Sequence, residues 1–388
     1  PLGRQIEKRI TLNQHRYSIR TRFDARGRIK AKQLADGNWL VFTPNDKTGL
    51  TQSITLHRPI LPALTQQLAA WFNAPDLPLT LAWRSTVVTD IQASALDGIT
   101  HYTHGNGTAT DYRYDQAGRL AGIEHGKATG TILKTSYQYD PVQRLASENI
   151  NKVETKYAYQ DWDRLAQSPA KPSIQAQYDP AGRTVQDEQY HYQYDTWGKL
   201  QSVSASNKVI ATYAHNAYGE RVKASYPNGQ SQQTRYYLYD NQKRVAEIDP
   251  DGKIRQQYLY LNDKPIALID NSTGDSEIIA LHTDRRGAPI AASDEQGKVI
   301  WIASYNAWGQ ARIRNVAATQ AANDARFNLD LRLPGQWEDR ATHLHYNYQR
   351  DYNPTTGKYL TPDPLGFPDG PDAYLYVGGD PVNKVDPL

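Results

Sequence analysis

The chain has 388 residues, a formal net charge of +3 and 22% charged residues, which excludes the strongly basic footprint of a nucleic-acid binder. Mean hydropathy is −0.73, and no apolar run approaches the ~20 residues of a membrane helix. Cysteine is absent, so disulfides, thiolate metal sites and a cysteine nucleophile are all excluded.

The chain opens on Pro1 and contains no methionine, so it reads as an internal piece of a longer polypeptide. Pro1-Leu-Gly-Arg4 reads as the back half of a repeat unit, and Phe23-Asp24-Ala-Arg-Gly27-Arg28 as a weak copy of it. Residues 1–30 are therefore predicted as repeat strands. Residues 31–100 interrupt the repeats. Within them the stretch 60–74 is the best helix candidate, because Leu64, Leu68, Trp71 and Phe72 follow helical spacing.

From 101 to 316 the unit recurs. Tyr112-Arg-Tyr114-Asp115-Gln-Ala-Gly118-Arg119-Leu120 and Tyr192-Gln-Tyr194-Asp195-Thr-Trp-Gly198-Lys199-Leu200 are its best copies. Positions equivalent to the Asp run 115, 140, 160, 179, 195, 216 and 240, a period of about twenty that fits one β-hairpin per unit. Tyr-x-Tyr puts both rings on one face of a strand. In Asp-x-x-Gly the Asp side chain caps a turn and Gly supplies positive φ. A lone hairpin is marginal, so the units must stack edge to edge into a continuous sheet. The irregular period argues against a β-propeller. Tyr is used 27 times and Phe 5 times, which suits a thin β surface with half-exposed aromatics.

Residues 313–326 read as a polar linker or short helix ahead of the tail, which spans 317–388. The tail carries Arg350-Asp351 and two Asp-Pro-Leu triplets, at Asp363 and Asp386, the second ending at Leu388. Two carboxylates that share one proton can hydrolyse a peptide bond: the ionised one activates water, and the protonated one donates. Asp363 and Asp386 are the candidate pair, with Asp351 as a further member. Arg350 offers a permanent charge and a planar fork to a carboxylate or an oxyanion. The alternative reading of Asp-Pro-Leu-Gly is ordinary turn chemistry. Arg350 and Asp351 could equally form a structural ion pair with each other.

Weaker signals point nowhere specific. His343-Leu-His345 lacks a third metal ligand, and Asp249-Pro-Asp-Gly252 reads as a hairpin turn rather than a calcium loop. No cofactor or metal is expected.

The Tyr-Asp units followed by the segment from Leu333-Pro-Gly-Gln-Trp337 to Asp363-Pro-Leu-Gly366 resemble the Rhs/YD-repeat family of bacterial polymorphic toxins, which includes type VI secretion effectors and the C component of insecticidal toxin complexes. The resemblance implies an all-β fold of stacked hairpins, forming a long curved sheet that is part of a hollow cocoon, with minor helical insertions. It implies that the cocoon encloses a C-terminal toxin, and that an aspartyl autoprotease cuts this toxin free in cis. Carried over, the catalytic carboxylates fall on Asp363 and Asp386, the supporting arginine on Arg350, and the cleavage site on Leu388. The implied partners are the cleaved toxin, the N-terminal part of the same polypeptide and a secretion spike protein, with no nucleic acid and no membrane span. The implied route is synthesis in the cytoplasm and export by a bacterial secretion system. The competing reading is a YD-repeat surface or binding module without proteolytic activity, holding carbohydrate or a protein partner on its tyrosine-rich face.

Overall fold

The structure is a computed structural model that describes residues 6–386 apart from 61, 72–78, 80–81, 95–97, 161–162, 172–174, 229–230, 317–326 and 367–369. It is almost wholly antiparallel β. Strands are numbered β1 to β30 in chain order. The first sheet runs from β1 (Glu7–Leu12) to β12 (Val153–Lys156), and the second from β13 (Gln177–Tyr178) to β26 (Ala311–Asn315). In both, every strand pairs with its neighbours in sequence, so the chain meanders without a crossover and neither sheet closes on itself. A third sheet of four short strands, from β27 (Trp337–Glu338) to β30 (Lys358–Tyr359), forms the tail. Among the described residues no helix is long and apolar enough to cross a membrane.

Each good repeat unit builds one hairpin end. Between β8 (Ala109–Tyr114) and β9 (Leu120–Lys127), Asp115 N–H donates to the Arg119 carbonyl at 2.8 Å and Gly118 N–H to the Asp115 carbonyl at 3.0 Å. Asp115 Oδ1 caps the turn by accepting from Ala117 and Arg119 N–H, and Gly118 sits at φ 75°. This is a type I turn closed by a glycine bulge, and the strand register slips by one at Arg113/Tyr114.

The structure also explains why the unit uses tyrosine rather than phenylalanine. The second Tyr of one unit donates its hydroxyl to a backbone carbonyl of the hairpin before it: Tyr139 to Leu120, Tyr159 to Leu145 and Tyr194 to Thr184, at 2.7–2.8 Å. The same ring carries the arginine of the earlier unit, with Arg119 over Tyr139 and Arg144 over Tyr159. That arginine is in turn ion-paired to its own aspartate. Ring, guanidinium and carboxylate thus staple consecutive hairpins, and a phenylalanine would leave the carbonyl unmet.

The repeat motif stops in 31–100 but the sheet does not. β5 (Thr51–Pro59) and β6 (Ala82–Ser94) continue it, joined by way of helix α1 (Pro62–Trp71), which falls within the expected 60–74 stretch. The expected linker or helix at 313–326 is corrected at its start: Ile313 to Asn315 end strand β26, paired against Trp301 to Ala303. Residues 317–326 lie outside the described set. Apolar side chains of the two large sheets share one core, in which Leu56, Val88 and Ile123 of the first meet Leu259, Ala267 and Ile269 of the second. The tail packs on the second sheet through Leu331, Trp337, Leu344 and Tyr346.

Candidate active site

The candidate residues converge on the hairpin of β28 (His345–Asn347) and β29 (Arg350–Asn353), which turns through Tyr348 at φ 46°. Successive residues of a strand face opposite ways. Arg350 therefore projects to one side of β29 and Asp351 to the other.

On the Arg350 side, Nη2 lies 2.9 Å from Asp363 Oδ2 and 3.1 Å from Asp386 Oδ2. One nitrogen thus meets both carboxylates, so their oxygens lie no farther apart than the two distances combined. The side chains are 10%, 15% and 23% exposed for Arg350, Asp363 and Asp386, shielded yet within reach of water. The guanidinium also stacks on Tyr359 of β30, 3.7 Å from the ring centre.

Asp363 combines both readings of its motif. Its Oδ1 accepts from Leu365 N–H at 2.8 Å, and Gly366 N–H donates to its carbonyl at 3.0 Å, so it caps an ordinary turn. Its other oxygen is aimed at Arg350. Asp386 is held more fully. Tyr359 Oη donates to its Oδ2 at 2.7 Å, Asn347 Nδ2 donates to its backbone carbonyl at 2.9 Å, and its N–H donates to Tyr376 Oη at 3.4 Å. Burial and the adjacent Asp386 charge push the Tyr359 phenol well above its ordinary range, so it stays protonated and serves as a donor. Sequence reasoning passed over Asn347, Tyr359 and Tyr376. The hairpin gives a usable signal for Asn347, because a two-residue turn sets it directly across from Arg350.

Asp351 is not brought to this site. It is buried on the opposite face against Arg221, at 2.6 Å, with side chains 8% and 3% exposed. The Arg221 guanidinium lies between the rings of Tyr213 and Tyr346, at 3.8 and 4.4 Å. Burial raises the Asp351 carboxyl above its usual range, and Arg221 opposes that shift. The alternative reading of Arg350 and Asp351 as an ion pair with each other is accordingly replaced by two separate pairings. Leu388 lies outside the described residues.

His343 Nδ1 meets Glu338 at 2.8 Å, and buried His345 meets Gln336 at 2.8 Å. Among the described residues no group of three or more acidic or histidine side chains is placed to hold a metal ion. The turn at Asp249 closes as a hairpin, with Gly252 N–H donating to its carbonyl at 2.9 Å.

The family model of the teneurin YD-shell matches residues 80–369. Double-stranded DNA deaminase toxin A of Burkholderia cenocepacia is 28% identical over 326 residues, covering 71% of this chain and 22% of that protein. The probable deoxyribonuclease RhsB of Dickeya dadantii is 28% identical over 308 residues, covering 72% and 20%. The tRNA nuclease WapA of Bacillus subtilis is 25% identical over 300 residues, covering 75% and 11%. The chain thus spans about a tenth to a fifth of the length of these relatives. The crystal structure of TcdB2-TccC3 superposes with a TM-score of 0.73 at 18% identity, over 96% of this chain and 22% of that one. The Photorhabdus luminescens Tc holotoxin pore superposes at 0.72 with 17% identity, over 96% and 21%. These likenesses carry the fold of the stacked hairpins.

Proposed function

The chain belongs to the teneurin YD-shell family, and from that membership we propose that it is a section of shell wall enclosing a C-terminal toxin, with Asp363 and Asp386 cutting its own backbone at about Leu388. The toxin names of the relatives support the cargo, and their greater length supports a shell completed by other parts of the polypeptide. The cut toxin and the N-terminal part of the same polypeptide are the proposed partners, with a secretion spike protein as carrier and export through a bacterial secretion system.

The observation that carries the reading is the single Arg350 nitrogen meeting both carboxylates. Two carboxylates beside one guanidinium are balanced by one added proton, and one ionised and one protonated acid is the state hydrolysis needs. The ionised carboxylate takes a proton from water as its oxygen bonds to the carbonyl carbon. The protonated one gives its proton to the leaving nitrogen as the C–N bond breaks, yielding a carboxylic acid and an amine. Arg350 and Tyr359 hold the acids in register. Substrate and catalyst share one chain, so proximity supplies much of the rate, and the reaction runs once. Asp351, turned away toward Arg221, belongs to the wall. In a precursor extended past residue 388, Asp363→Asn or Asp386→Asn leaves a folded, uncut chain; full cleavage in both variants removes the protease assignment.

A further inference from the structure

Arg244 pairs across from Tyr239, the register at which Leu120, Leu145 and Leu200 pair with the last Tyr of their units, so a guanidinium stands where the wall elsewhere carries a leucine, and Lys243 takes the place of the unit's usual arginine. Arg28, Arg119, Arg144 and Arg183 each meet the Asp four residues earlier at 2.7–2.8 Å. In the unit at Asp240 this pairing is broken. The turn is the two-residue Asn241-Gln242, with both residues at positive φ, and it sets Asp240 directly across from Lys243. Asp240 ion-pairs instead with Lys32 of the first sheet. Arg244 is left 5% exposed between the rings of Tyr237 and Trp337, at 3.8 and 4.2 Å, and its Nε has no hydrogen-bond partner among the described residues. Tyr239 hydrogen-bonds to it and the charge of Glu247 acts on it, but Glu247 is ion-paired with Arg235, and among the described residues no carboxylate pairs directly with Arg244, which makes its burial costly.

Arg221 is placed in the same way, across from His215 at the leucine register of its unit, while Glu220 takes the position four residues after Asn216. There the tail supplies Asp351. Arg244 instead borders a cavity of about 490 Å³. Lys243, Lys264 and Arg286 also line it, with Lys243 paired to Asp263, the one acid of the lining among the described residues and 88% exposed, and Arg286 paired to Asp284 at 3.1 Å. Trp337, Tyr260, Leu331 and Pro334 make the remaining wall apolar.

We propose that this cavity is a binding site for a carboxylate borne on an apolar body, with Arg244 as counter-charge and Trp337 and Tyr260 flanking the body. A peptide segment or a free small acid could present that chemistry. Calorimetric titration at low salt with acetyl-alanyl-leucine, its C-terminal amide and benzoate separates the two. Saturable binding of either acid, weakened roughly tenfold or more in Arg244→Leu, is expected. Stronger binding of the peptide acid assigns the site to a polypeptide segment, and stronger binding of benzoate to a small acid. Should Arg244→Leu fail to fold, Lys243→Gln at the cavity rim is expected to weaken the acids and leave the amide unchanged. Equal binding of acid and amide, or no saturable binding of either acid, overturns the proposal.

Discussion

Arg350 and Asp351 are neighbours in the chain, yet their side chains leave opposite faces of one strand and join different ion pairs. Arg350 meets Asp363 and Asp386 at a partly open site, and Asp351 meets Arg221 in the interior. Strand alternation alone makes this split. It leaves Arg350 on the face of the proposed carboxylate pair and buries Asp351 in the wall.

Asp351→Asn is expected to leave Arg221 buried without its counter-charge and to lower stability by about 3–5 kcal/mol. Urea unfolding followed by tryptophan fluorescence measures this. A wild-type midpoint would mean that the pair contributes nothing.

Tyr359→Phe removes the hydroxyl donated to Asp386 and keeps the ring that packs on Tyr352 and Tyr376. A charge-assisted hydrogen bond is worth about 1.5–3 kcal/mol, so cleavage of an extended precursor is expected to slow roughly ten- to a hundredfold while the fold persists. A gel time course checks it, and an unchanged rate would remove Tyr359 from the site.

Two turn glycines separate backbone strain from crowding. Gly107 sits at φ 79° with nothing near its missing Cβ, whereas Gly309 sits at φ 84° with Leu333 Cδ1 2.6 Å from that position. Gly107→Ala is expected to cost about 1 kcal/mol, and Gly309→Ala about 1–3 kcal/mol more, because Leu333 must move. Thermal melts of the two variants compare them directly.

In the interior His282 meets both His104 and His125 edge to face, with ring centres 5.2 and 5.1 Å away. Burial pushes His104 down to about 3 and His125 to about 4, and His282 well below the ordinary value. Lys264 lowers His125 further, while Asp111 and Asp284 oppose the shift. The unfolded chain binds these protons near pH 6.5 and the folded chain only near pH 4 or below. Stability is therefore fully present above about pH 6.5 and falls with acidification toward pH 4, by up to ~1.4 kcal/mol per pH unit for each histidine. His104→Phe is expected to flatten that slope, and urea midpoints across this range test it. An unchanged slope would show that His104 does not drive the acid sensitivity.

The hairpin architecture was legible because Tyr-x-Tyr, Asp-x-x-Gly and Arg each have a local mechanism. Units such as Asp284-Arg-Arg-Gly287 escaped notice. They form the same turn, but their strands carry Leu281-His-Thr283 in place of the tyrosines. The continuation of the sheet through 31–100 was hidden for the same reason, since β5 and β6 are held by cross-strand pairing that no short motif encodes. At the site, Asp363, Asp386 and Arg350 could be picked out as residue types. The partner of Asp351 could not, because Arg221 lies 130 positions away and is joined to it only by the packing of the tail on the second sheet. Tyr359 and Tyr376 were hidden among many tyrosines that serve the wall.

The most direct test is the intact mass of a precursor that continues past residue 388, purified as wild type and as Asp386→Asn. Two fragments whose boundary falls at about Leu388 in the wild type, and one unbroken chain of native circular dichroism in the variant, are the predicted result. A variant cut at the same bond and to the same extent would contradict self-cleavage by this carboxylate pair.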